Sequence, residues 1–213
     1  MTEHPATAEI VDRRLLRGAR TRHAIARHAA DVASLEGLTG LSLGRLATDL
    51  GLSKSGVQTL FGTKEKLQVA AVEAAREAFL DAVVRPALAA PPGAARLREL
   101  IELWGVYAET PLFPGGCFRA ANLADFDSRP GQVRDALFRD QRDWRDLIAG
   151  ELRKAADAGE IAELDAGFAA FQLDAVLCAA NTALRLGDKL GDKLVMIKVR
   201  RVLDGFLTPP VTT

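Results

Sequence analysis

The chain has 213 residues, 48% of them apolar, enough to bury a sizeable core in one large or two smaller domains. Its formal net charge is zero, yet residues 1–66 hold 10 Lys/Arg against 7 Asp/Glu, a surplus of +3 that residues 67–213 offset with 18 against 21. Cys117 and Cys178 are the only cysteines, which excludes a disulfide framework and suits a reducing compartment. The opening MTEHPATAEIVDRR lacks the apolar core of a signal peptide, so a cytoplasmic location is expected.

Residues 1–15 have mixed polarity and no cap and read as a mobile arm. From Thr21 a helical period sets in, with Ile25, Ala29 and Val32 on one face, and Gly37 stops it. Ser42 caps a short helix carrying Leu43, Leu46, Ala47 and Leu50, closed by Gly51. Ser53 caps the next, which ends at Phe61-Gly62. Thr63 caps a longer helix to about Arg85, ended by Pro86 and Pro91-Pro92. Five further helices are predicted at roughly 94–109, 117–127, 131–158, 165–187 and 190–206. Nothing alternates with period two, so the expected fold is all-α with about nine helices. The apolar run 166–187 contains Gln172, Asp174 and Asn181, which argues for a buried helix and no membrane span.

Leu43–Gly62 has the pattern of a DNA-binding helix-turn-helix. Ala47 sits where two helices cross closely, Gly51 at the turn needing positive φ, and Val57 where the second helix packs on the first. Leu46, Leu50, Leu52 and Leu60 are expected to fill the remaining inward positions. Ser53, Lys54, Ser55, Gln58 and Thr59 then point outward, where hydroxyls, an amide and a cation can meet base edges and phosphates. Lys64 follows the cap Thr63, an unfavourable place for a cation unless an anion such as a DNA phosphate lies near.

The residues Arg22-x-x-Ile25, Ala29-Ala30, Gly37, Ser42-Leu43, Leu46-Ala47, Gly51-Leu52-Ser53-Lys54, Phe61 and Lys64-Glu65-x-Leu67 resemble the N-terminal domain of TetR/AcrR transcriptional regulators. The resemblance covers about residues 20–67 and departs at Gln58, where the family usually carries tyrosine, and at Leu60, where it often carries histidine. It implies an all-helical dimer and adds Arg22, Ser42 and Arg45 to the candidate DNA-binding set.

Residues 67–213 contain no histidine and one serine, Ser128, which excludes a Ser-His or Cys-His catalytic pair and a His-rich zinc site there. No catalytic residue, cofactor or metal is expected. Trp104, Tyr107, Cys117, Phe118, Asn122, Phe126, Trp144, Phe168 and Phe171 are candidates for the lining of an apolar small-molecule cavity. Cys117, opening a helix after Pro114-Gly115-Gly116, is also a candidate redox-sensitive thiol. Ala175, Ala179 and Thr182, with Val195, Val199 and Val202, form two stripes expected to make a four-helix dimer interface.

The expectation is therefore a DNA-reading domain over residues 1–66 and a helical effector-binding and dimerisation domain over 67–213. Its partners are a duplex operator, a second copy of the chain and a small effector, with release of a repressor as the mode that the resemblance implies. The competing reading is a helical interaction protein whose helix-turn-helix is structural.

Overall fold

The computed structural model describes residues 5–187 and 191–210, with side chains over 16–187 and 194–210. Among the described residues it contains nine helices and no strand. The first, α1, spans Pro5–Glu36. It begins well before Thr21, so most of the expected arm is helix; proline suits a first helical turn, where its missing N–H is not needed. A 3-10 turn, Leu38–Gly40, leads to α2 (Leu43–Asp49) and α3 (Lys54–Phe61).

Each short helix starts on the hydroxyl that its sequence supplies. Ser42 Oγ accepts the Arg45 N–H, Ser53 Oγ the Gly56 N–H, and Thr63 Oγ1 the Lys66 N–H. Gly51 turns the chain between α2 and α3 with φ of 64°. Val57 and Phe61 bury α3 against a core of Ile25, Ala29, Leu46 and Ala47. Leu52, expected inside, is 38% exposed, because the turn swings it past the end of that core.

Helix α4 runs Lys64–Phe79 and continues through a π-helical turn, Leu80–Val84, and a last α-turn, Arg85–Ala87. It is followed by α5 (Ala94–Glu109), α6 (Phe118–Phe126), α7 (Gln132–Asp157), α8 (Ala166–Leu186) and α9 (Gly191–Phe206). These five begin and end within a residue or so of their predicted positions. Buried Glu151 of α7 holds the connection before α5 by accepting the Gly93 N–H at 2.8 Å. Buried Phe79 at the end of α4 packs edge-on to Tyr107 at 5.2 Å and to Trp144 at 5.3 Å.

Helix α8 is long and apolar enough to cross a membrane, with a mean hydropathy of 1.3. Its inward face nevertheless carries Asp174 and Asn181, packed against α7, α9 and α5.

Candidate functional site

Two regions carry chemistry. The first is the free face of α3. Lys54, Ser55, Gly56, Gln58 and Thr59 are all exposed, on a helix anchored by two buried side chains. Lys54 lays its stem beside Gly44 of α2 and keeps its ammonium in solvent. Thr59 Oγ1 is turned to the Ser55 carbonyl at 2.8 Å, and Gln58 Nε2 donates to the Gly62 carbonyl at the end of the helix.

The basic residues added by resemblance are differently placed. Arg22 donates to the Leu60 carbonyl and stacks on the Phe61 ring at 4.4 Å, so it fixes α3 to α1. Arg45 is held by Glu36 and lies 3.7 Å from Asp49, an exposed cluster in which hydrogen bonding to Arg45 keeps the Glu36 carboxyl below its ordinary value. Lys64 Nζ donates to the Thr39 carbonyl at 2.6 Å. That carbonyl supplies the electronegative partner which the sequence reading sought in DNA.

The same 3-10 turn ties α1 to α4 and α6. Leu38 is fully buried; its N–H donates to Asn122 Oδ1 at 2.7 Å and its carbonyl accepts from Gln68 Nε2 at 2.7 Å. Asn122 Nδ2 donates to the Ala33 carbonyl at 3.2 Å and to Phe118 at 2.9 Å. Gly115 approaches α1 so closely that a Cβ there would overlap the Ser34 carbonyl, and its N–H donates to Ser34 Oγ at 2.9 Å. Asn122 is thus a clamp that holds α6 to α1 and the 3-10 turn, and not a cavity wall. Spacing alone aligned it with Phe118; its partners 84 and 89 residues away come only from the tertiary fold.

The second region is a hollow of about 20 Å³ walled by Trp104 of α5, Arg119 and Leu123 of α6, Trp144 of α7, and Asp174 and Asn181 of α8. Both cysteines border it. Cys178 is exposed as a residue, but desolvation of its thiol beside the hollow, with Asp174 and Cys117, pushes it up to about 11. Of the residues expected to line a cavity, Trp104, Trp144 and Cys117 meet here. Tyr107 and Phe118 are core, packed on Phe79 and Phe113. Phe126 borders a separate hollow with Leu137 and Phe138.

Phe168 and Phe171 do not line a cavity: they are 58% and 55% exposed. The inward face of α8 is set by Leu173, Leu177, Ala180 and Asn181, which leaves Phe168, Phe171, Ala175, Ala179 and Thr182 as a stripe in solvent. The corresponding expectation for α9 needs correction. Val195 and Val199 are 8% and 1% exposed and pack inward, Val202 is half-buried, and Leu194 and Ile197 are the exposed apolar pair. Neighbouring Met196 sits over Gly105 of α5, on the same inward side as Val195 and Val199.

Arg119, Asp174 and Asn181 were not proposed from sequence as site residues. The available signal was Asp174 and Asn181, seven residues apart on one face of an otherwise apolar helix.

Residues 93–197 match the family model described as "Tetracyclin repressor-like, C-terminal domain". Among solved structures, a TetR-family regulator from Cytophaga hutchinsonii superposes with a TM-score of 0.76 at 21% identity, covering 92% of this chain and 98% of that one. One from Chloroflexus aurantiacus gives 0.73 at 21% identity, over 90% and 94%. AibR, crystallised with isovaleryl coenzyme A and operator DNA, gives 0.70 at 17% identity, over 89% and 100%. No curated protein matches by sequence. Residues 93–197 thus match a tetracyclin-repressor-like C-terminal domain as sequence, and nearly the whole chain shares the fold of solved TetR-family regulators.

Proposed function

We propose that this protein is an operator-binding repressor that acts in the cytoplasm as a two-fold homodimer, without catalytic activity, and is released by a small effector. The observation that carries the reading is α3: its base-sized polar side chains face solvent, while Val57, Phe61 and the Arg22 stack fix its position. That arrangement suits insertion into a major groove by Lys54, Ser55, Gln58 and Thr59. Lys64 uses one of three donors on Thr39 and keeps two for a phosphate. Arg22 and Arg45 act through position, holding α3 and α2.

The apolar stripe of α8, extended by Leu194 and Ile197, suits a second copy of the chain. AibR, of like fold, was solved with both an operator and an acyl-coenzyme A. In this chain the hollow and the interdomain clamp share one helix. Arg119 and Leu123 of α6 face the hollow, and Asn122 between them grips α1 and Leu38. A ligand that displaces α6 therefore moves the reading head directly. Helix α4 supplies a second route, interrupted by its π-turn.

Selection of the purified protein against a random duplex library is expected to enrich a roughly palindromic site. Its half-sites should lie about 34–36 Å or a multiple apart. Lys54→Ala should weaken binding to that site by about 5- to 150-fold through a lost groove contact worth about 1–3 kcal/mol. Failure to enrich any sequence, with weak and sequence-blind binding, would leave the structural helix-turn-helix reading in its place.

A further inference from the structure

The polar groups around the α5–α8 hollow are unevenly matched. Asn181 is 7% exposed and its Oδ1 has no protein partner. Asp174, seven residues earlier on the same face, is 6% exposed and accepts one N–H, from Gln141 at 3.3 Å. Burial pushes its carboxyl up in spite of the Arg119 charge, the Gln141 hydrogen bond and the Arg145 charge. Arg119 itself is already engaged: its Nε donates to Asp140 at 2.9 Å and its guanidinium lies 5.2 Å from the Phe79 ring centre and 5.9 Å from that of Trp144, so a second cation finds its free indole at Trp104. The α8 wall therefore presents two acceptors short of donors, in a site lined by the Trp104 and Trp144 indoles. Indole faces attract cations, and buried acceptors without partners are costly until a donor arrives.

We propose that this hollow binds a flat aromatic monocation of the amidine or aminopyridine kind, whose N–H groups donate to Asn181 Oδ1 and the Asp174 carboxylate. The inference rests on the hollow's being the effector site. At about 20 Å³ it has room for little more than a water. Arg119 and Trp144, however, also line a second hollow of about 110 Å³ beside the π-turn at Leu80–Val84. For one ring to enter, Arg119 and Trp144 must rotate and join the two spaces. The π-turn, a deformation frequent at functional sites, forms the far wall through Leu80 and Val84.

The test uses the whole protein without DNA. Its only two tryptophans, Trp104 and Trp144, both line the hollow, so intrinsic fluorescence reports occupancy. Benzamidine, benzamide and benzoate share one shape and carry charges of about +1, 0 and −1 at neutral pH. Benzamidine is expected to bind at least ~10-fold more tightly than benzoate, with benzamide between them. Asp174→Asn should erase the gap between benzamidine and benzamide. Asn181→Leu should weaken both while raising Tm by about 2 °C or more, because it removes a buried acceptor without a partner. Tighter binding of benzoate would overturn the proposal and make Arg119 the selecting group. Binding unaltered by both substitutions, or no quenching by any of the three, would overturn it too. Operator affinity is measured separately: benzamidine that binds as expected but leaves it unchanged upholds the ligand class and removes the effector reading.

Discussion

Replacing Asn122 by alanine should loosen the reading head from the rest of the molecule. Three hydrogen bonds are lost, but not equally. The Ala33 carbonyl keeps the Gly37 N–H at 3.0 Å and Phe118 its place within the helix, so each of those losses costs about 0.5 kcal/mol. The Leu38 N–H has no second acceptor and becomes a buried donor without a partner, at about 1–3 kcal/mol. The sum, roughly 2–4 kcal/mol, corresponds to a Tm lower by about 5–15 °C for a chain of this length. Urea denaturation followed by two probes locates the damage. Circular dichroism sees every helix, whereas both tryptophans lie in the second domain. In the parent the two transitions should coincide; in Asn122→Ala the circular dichroism signal should begin to fall first. Gln68→Ala, which leaves the Leu38 carbonyl with only the Leu41 N–H at 3.3 Å, should couple to it by at least about 0.5 kcal/mol in a double-mutant cycle. A loss below about 1 kcal/mol with coincident transitions would refute the clamp.

Gly115→Ala should force the 111–117 segment away from α1, because its Cβ meets the Ser34 backbone and not a movable side chain; a Tm within about 1 °C of the parent would show that the contact yields freely. Asp174→Asn should stabilise the protein at pH 7. A carboxyl whose pKa the fold raises contributes stability only in its protonated form, present below its unfolded value near 3.9 and lost as pH rises through the folded value, so the advantage should shrink toward pH 4 in thermal melts. Ala179→Arg, in the exposed stripe of α8, should yield a monomer by light scattering with operator binding weakened more than ~10-fold, whereas a dimer of unchanged mass would place the interface elsewhere.

What the sequence determined by itself was local. Ser42, Ser53 and Thr63 start helices because a hydroxyl next to free N–H groups caps them whatever lies beyond, and Gly51 and Gly62 turn the chain where positive φ is needed. Those signals lie within a few residues of one another, so the helix order, the helix-turn-helix and the boundaries of the last five helices could be read directly. The rotation of a helix about its own axis is another matter. Val195 and Leu194 are neighbours of similar polarity, and only the packing of α9 on α8 and α5, where Met196 lies over Gly105, decides that one is buried and the other exposed. Phe171 is as apolar as any core residue, yet α8 turns it outward because Asp174, Leu177 and Asn181 face the hollow. Asn122 shares a helical face with Phe118 in the sequence, but its role depends on Leu38 and Ala33, which reach it only when α6 packs on α1. Caps and turns follow from short-range hydrogen bonding; which face a helix buries, and whether a polar side chain there finds a partner, depends on contacts from distant parts of the chain.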